Sequence, residues 1–221
     1  MHRRPHKARI LVFDKAAGDR RNTGLAGRRS MRAARVHRPS SDSSQFERRR
    51  GSRLILVLGG AASGKSRVAL DLAGGTSPKA YVATGQALDR EMAERIRRHR
   101  ASRAADWATA EIPIDLAGWF RDRAASYRTI VVDCLTLWLS NLQGKHVSDR
   151  AIPDKVDDLL DAIRSAPAKT VLVSNELGLG VIPVTRAGRR FRDMAGKVHQ
   201  QIATGADEVH FIIAGQALRI K

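Results

Sequence analysis

Apolar residues along this chain come in short continuous runs, each closed by a glycine-bearing or polar turn. Leu54-Ile55-Leu56-Val57-Leu58 is unbroken, as expected of a strand buried on both faces. Ala80-Tyr81-Val82-Ala83, Thr129-Ile130-Val131-Val132-Asp133, Thr170-Val171-Leu172-Val173-Ser174 and Glu208 to Ile213 repeat the pattern, and Ala217 to Ile220 reads as a short last strand. Between them the period changes to that of a helix. Arg67 to Ala73 stops at Gly74-Gly75, and Leu88 to about Arg103 carries Met92 and Ile96 on one face. Asp154 to Ser165 places Val156, Leu159, Leu160 and Ile163 at helical spacing, and Arg186 to Thr204 is a long helix. Strands alternating with helices predict an α/β fold, with a mostly parallel central sheet flanked by helices and right-handed crossovers.

The first quarter breaks this rhythm. Its one apolar cluster, Ile10 to Phe13, cannot form a core, and Pro39 to Ser44 is polar throughout. Residues 1–50 carry 15 Lys and Arg against 4 Asp and Glu, whereas residues 51–221 carry 25 against 18. Most of the net charge of +18 therefore sits in a segment expected to be disordered, because it buries too little apolar area to offset chain entropy. The expected organisation is a basic extension over 1–50 and one folded domain over 51–221. The extension is arginine-rich like a transit peptide but lacks the apolar stretch of a secretory signal. It also fits an upstream start, with Met31 one alternative first residue. No run approaches the length needed to span a bilayer, and the single cysteine, Cys134, fits a reducing cytoplasm.

The chemistry starts at the end of the first strand. Gly59-Gly60-Ala61-Ala62-Ser63-Gly64-Lys65-Ser66 satisfies G-x-x-x-x-G-K-[ST] between an apolar strand and a helix. Glycines let backbone N–H groups turn around a phosphate, and the helix directs its positive end at the same anion. Lys65 is placed for the outer phosphates of ATP or GTP, and the Ser66 hydroxyl for Mg²⁺. Asp133, closing a buried strand, is the matching metal-site carboxylate, unless it merely caps the turn that follows. Chance alone gives such a loop in roughly one chain of this length in a hundred.

In the second helix Met92, Ile96 and His99 are spaced i, i+4, i+7, which puts His99 on the apolar side. A histidine so placed is ordinarily a satisfied core residue. Arg95, Arg97, Arg98, Arg100 and Arg103 surround this one. Cationic neighbours favour neutral imidazole, the nucleophilic form, and arginines hold triphosphates through charge-assisted hydrogen bonds. A solvated helix face accounts for the arginines equally simply.

Five stretches together carry a resemblance. They are Leu56 to Arg67; Tyr81 to Gln86 continuing through Glu91-Met92, Arg95-Ile96, His99-Arg100 and Arg103; Trp107 to Glu111; Asp133 to Asn141; and Val173 to Gly180 with Arg186, Phe191-Arg192-Asp193, Gly196 and Ala206 to Val209. In order and spacing the chain resembles the bifunctional adenosylcobinamide kinase / adenosylcobinamide-phosphate guanylyltransferase family of cobalamin biosynthesis, from about Leu54 to Lys221. The resemblance implies a RecA-like P-loop fold and two transfers. ATP or GTP phosphorylates the aminopropanol hydroxyl of adenosylcobinamide. GMP then passes from GTP to that phosphate through a GMP–histidine, releasing pyrophosphate and giving adenosylcobinamide-GDP. The position matching the nucleotide-bearing histidine is His99. Ala83, Thr84, Gly85, Arg100, Ala101, Ser102, Arg103, Glu111 and Asp133 match nucleotide contacts, beside the phosphate loop itself. The resemblance also implies a homo-oligomer, a trimer in the best-known case. The family usually has Arg at the Ala62 position and Asn at the His199 position, so one kinase-step contact is in question and His199 reads as structural.

Two other readings follow from the residues: another P-loop small-molecule or nucleotide kinase with His99 structural, or a nucleic-acid-binding protein driven by the basic extension.

Overall fold

The computed structural model describes residues 52–87, 89–90, 93–94, 96–97 and 104–221. Seven strands form one sheet: β1 (Arg53–Gly59), β2 (Lys79–Ala83), β3 (Trp107–Glu111), β4 (Thr129–Asp133), β5 (Lys169–Asn175), β6 (Glu208–Ile213) and β7 (Gln216–Arg219). Their spatial order is β3-β2-β4-β5-β1-β6-β7. Every pairing is parallel except β6 with β7. The helices are α1 (Lys65–Ala73), α2 (Leu116–Arg123), α3 (Leu135–Gly144), α4 (Ile152–Ser165) and α5 (Arg186–Gly205), with a 3₁₀ turn at Ala124–Ser126. Arg90, Ala93, Glu94, Ile96 and Arg97 are also helical, within the segment read as the second helix. The extension over 1–50 and the remainder of that helix lie outside the described residues.

The continuous apolar runs become central strands because both faces of the sheet are covered. Along β1 the side chains alternate between two cores. Leu54, Leu56 and Leu58 join Leu116, Phe120, Trp138, Leu159, Val198 and Ile202 from α2, α3, α4 and α5. Ile55 and Val57 join Val68, Ala69 and Ala73 of α1 on the other side. Fully burying one such aliphatic side chain contributes roughly 1.5–3 kcal/mol, and all six of Leu54 to Gly59 are buried.

Three elements were not anticipated from the apolar pattern. β3 is an edge strand with no fully buried residue, so it lacks an unbroken apolar run. α2 is eight residues long, and α3 begins one residue after β4, with no glycine or proline to mark where the strand gives way to the helix. The first helix starts at Lys65, two residues earlier than expected, because the end of the phosphate loop is its first turn. No helix among the described residues is long and apolar enough to cross a membrane.

Candidate active site

The phosphate loop, Ala83, Thr84, Gly85, Glu111 and Asp133 all lie along the edge where the parallel strands end. Gly59 lies beside Asn175 and Ile212, and Ala83 lies between Glu111 and Asp133. This carboxyl edge is where open α/β sheets bind ligands.

The loop from Gly59 to Ser66 is shaped by sterics. A Cβ on Gly59 would sit 2.6 Å from Ser63 Oγ and 2.8 Å from the Ile212 carbonyl, so no larger residue fits there. Ala62 (φ 55°) and Gly64 (φ 89°) adopt left-handed backbone, which turns the loop back on itself. The N-terminus of α1 has no side-chain cap and no acidic residue in its first turn. By contrast, Asp115 caps α2 by accepting from Gly118 N–H, and Thr185 caps α5 by accepting from Gly188 N–H. The leading N–H groups of α1 are thus left to an anion. Lys65 is buried, with its ammonium donating to the Gly60 carbonyl at 2.8 Å across the loop. Within the same loop the Ser63 hydroxyl is buried without a hydrogen-bond partner.

Asp133 Oδ2 accepts hydrogen bonds from Ser66 Oγ at 2.9 Å and from Tyr81 Oη at 2.5 Å. Two oxygen groups, one anionic, therefore meet beside the loop. That donor set suits Mg²⁺, which takes one or two protein oxygens and completes its shell with water and phosphate. No group of three or more His, Cys, Asp or Glu side chains is arranged for metal binding among the described residues.

Thr84 is fully buried, and its polar atoms are engaged within the fold. Its hydroxyl donates to the Cys134 carbonyl at 2.7 Å and accepts from Cys134 N–H at 2.9 Å, and its carbonyl accepts from Asn141 Nδ2 at 2.8 Å. The same amide reaches the Pro113 carbonyl at 3.1 Å, so α3 ties the loops after β2 and β3 together. Thr84 thus shapes the edge from beneath, with no side-chain atom left for a ligand. Gly85 is packed against Leu137 and Ile96, where a Cβ would come within 3.3 Å of Leu137 Cδ1. Glu111, exposed at the end of β3, lines an open cleft of about 390 Å³ together with Ile112, Ile114, Trp119, Asp115, Asp122 and Arg123. Burial pushes the Cys134 thiol up to about 11, aided by the Asp133 charge, so it is inert near neutrality.

One constellation escaped the sequence. Asn175 N–H donates to Thr136 Oγ1 at 2.9 Å; Thr136 and Ser174 hydroxyls meet at 3.0 Å; Ser174 Oγ lies 2.7 Å from His199 Nε2. His199 Nδ1 is buried and lies 3.7 Å from Glu176 Oε2, an electrostatic contact beyond hydrogen-bond length. Burial holds the His199 pKa below the usual imidazole value, and Glu176 opposes that shift. Glu176 N–H donates to the Gly59 carbonyl at 2.9 Å, which joins this network to the phosphate loop. His199 and Glu176 belong to different elements, and no local spacing announces their meeting.

His99, Arg100, Ala101, Ser102 and Arg103 lie outside the described residues.

A phosphate loop ending β1, a hydroxyl–carboxylate pair from α1 and β4, and a strand (β5) inserted between β1 and β4 define a RecA-like P-loop nucleotide-binding protein. The sequence narrows this class further. Residues 55–220 match the family described as cobinamide kinase / cobinamide phosphate guanyltransferase, and the chain belongs to that family. It is 45% identical over 167 residues to the bifunctional adenosylcobalamin biosynthesis protein CobP of Pseudomonas aeruginosa, across 75% of this chain and 96% of that one. It is 41% identical over 180 residues to the bifunctional adenosylcobalamin biosynthesis protein CobU of Salmonella typhimurium, across 76% and 99%. Among solved structures, the flagellar accessory protein FlaH of Methanocaldococcus jannaschii superposes with a TM-score of 0.47 at 17% identity, over 78% of this chain and 79% of that one.

Proposed function

We propose that this chain phosphorylates adenosylcobinamide with ATP or GTP and then transfers GMP from GTP to the new phosphate, yielding adenosylcobinamide-GDP and pyrophosphate in cobalamin biosynthesis. Membership of the kinase/guanyltransferase family across residues 55–220 carries this reading. The geometry of the carboxyl edge supports it. Backbone N–H groups from Gly60 to Ser66 cradle the phosphates, and Lys65 exchanges its Gly60 carbonyl for an outer phosphate oxygen. Ser66 and Asp133 hold Mg²⁺, which when bound neutralises charge on the transferring phosphate. Tyr81 orients Asp133 by donating to the same carboxylate oxygen. The cleft at Glu111 offers carboxylates and the apolar side chains of Ile112, Ile114 and Trp119 to a nucleoside.

In the second transfer neutral His99 attacks the α-phosphorus of GTP, with Arg100, Arg103 and Lys65 stabilising the departing pyrophosphate. The phosphoramidate then donates GMP to the phosphorylated substrate. Two in-line displacements retain configuration at the α-phosphorus. The protein acts in the cytoplasm as a homo-oligomer, and exposed Leu179, Val181, Ile182 and Val184 supply apolar surface for assembly.

The deciding experiment is intact-mass spectrometry after incubation with GTP and Mg²⁺. One covalent GMP is expected, acid-labile and base-stable, and absent from His99→Ala. A chain that gains no adduct but still hydrolyses or transfers γ-phosphate is a P-loop kinase only, and the guanylyl-transfer half of the reading falls.

A further inference from the structure

Thr136, Ser174, His199 and Glu176 form a chain whose direction electrostatics decides. If His199 Nε2 carried the proton, the Nδ1 lone pair would face the Glu176 carboxylate at 3.7 Å. With the proton on Nδ1 the contact is attractive, although at 3.7 Å it stays electrostatic, and the hydroxyl donors fall into one order. Asn175 N–H donates to Thr136, Thr136 donates to Ser174, Ser174 donates to His199 Nε2, and Nδ1–H faces Glu176. The Ser–His–Glu order looks like a hydrolase triad, but exposure runs the opposite way. Ser174 is 0% exposed and cannot meet a substrate, whereas the Glu176 side chain is 21% exposed. The relay therefore serves the carboxylate, not the hydroxyl.

Position points to what that carboxylate does. Among the described residues, Glu111 and Asp133 close strands at this edge and Glu176 directly follows one. Asp133 Oδ2 already accepts from Ser66 and Tyr81. Glu111 closes β3, four strands from the loop-bearing β1, or roughly 19 Å at ordinary strand spacing. Glu176 follows β5, the direct neighbour of β1, and its backbone N–H holds the first carbonyl of the loop. Its Oε1 accepts from Gly178 N–H, which fixes the carboxyl plane from the other side.

We infer that Glu176 is the general base of the phosphorylation step, and that His199 is the positioning residue that fixes its carboxylate beside the strand bearing the phosphate loop. This deepens the proposed function and rests on it. The substrate hydroxyl oxygen bonds to the γ-phosphorus while the bond from that phosphorus to the β,γ-bridging oxygen breaks. The nucleoside diphosphate leaves with the electron pair. The hydroxyl proton passes to Glu176 and from there to solvent. The second transfer has a phosphate acceptor that is already ionised, so it needs no such base.

The test compares full-length wild type, Glu176→Gln, His199→Leu and His199→Asn in two assays. One is phosphorylation of adenosylcobinamide by ATP; the other is GMP transfer from GTP to supplied adenosylcobinamide phosphate. Glu176→Gln is expected to lower the phosphorylation kcat by about 10²–10⁴, with the KM for ATP within about threefold. Its loss in GMP transfer is at least tenfold smaller. His199→Leu lowers the phosphorylation kcat by about tenfold, and His199→Asn, which restores an N–H donor, recovers most of it. Equal losses in both assays, a phosphorylation kcat for Glu176→Gln close to wild type, or recovery of that variant by excess Mg²⁺ would each overturn the base. Equal activity of the two His199 variants would overturn the positioning role. Wild-type protein inactive in both assays would instead refute the functional reading itself.

Discussion

Single residues at the carboxyl edge are held where side-chain size and charge leave little choice. Gly64 has φ 89°, and a Cβ there would lie 3.2 Å from Gly215 Cα. Gly64→Ala is therefore expected to lose about 1–2 kcal/mol of stability from backbone strain, measured by denaturant unfolding, and to bind nucleotide more weakly by equilibrium titration. His199 tests charge rather than size. Its folded pKa is depressed by burial, so the unfolded chain binds the proton more tightly. Stability should fall as pH drops below the ordinary imidazole value of about 6.5, and continue falling toward the depressed folded value. His210, depressed by burial and by Arg219 and Arg53, adds to the same loss. Thermal melts of His199→Asn between about pH 7 and 5 should show a smaller decline than wild type. The phosphate loop was legible residue by residue because its chemistry is contiguous. Glu176 was legible only as part of a matched stretch, and its link to His199 was not, because that contact exists only once α5 packs onto β5.

At the level of elements, α3 contributes most to the shape of the site without bearing a proposed catalytic group. Trp138 Nε1 donates to the Ile114 carbonyl at 2.7 Å, and Asn141 clamps the Thr84 and Pro113 carbonyls. Asn141→Ala leaves both carbonyls without that donor. A loss of about 1–3 kcal/mol is expected by chemical denaturation, with faster amide exchange in the loops after β2 and β3. The buried strands β1, β4 and β5 could be read from the sequence because both faces are apolar and the runs are continuous. β3 could not, because its residues are half-buried or exposed and a five-residue edge strand lacks a strong period. α3 was hidden for a different reason: only Cys134 separates it from β4, and no glycine, proline or side-chain cap marks its start.

For the whole molecule, the sheet separates two tasks. Its lower body is core, and its carboxyl edge collects loops from β1, β2, β3, β4 and β5. Beyond β5 the segment before α5 departs from that economy of apolar surface. Val181 and Val184 are each 94% exposed and Leu179 is 80% exposed. A lone exposed aliphatic is ordinary, but several in one short segment mark a contact surface. Val181→Asp/Val184→Asp should lower the molar mass measured by light scattering if the proposed homo-oligomer assembles there, while the melting temperature of the subunit changes little. An unaltered mass would place assembly elsewhere.

The β6–β7 hairpin reaches back to the phosphate loop. Ala214 and Gly215 form its two-residue turn at φ 49° and 78°, and Gly215 N–H donates to the Ser63 carbonyl at 2.8 Å. The loop and this brace lie roughly 150 positions apart in the chain. At about 5–20 residues per second, a ribosome needs roughly eight to thirty seconds to travel from one to the other. During that interval the nascent protein carries a phosphate loop without its support, so tight nucleotide capture should coincide with emergence of the hairpin and not with emergence of the loop itself.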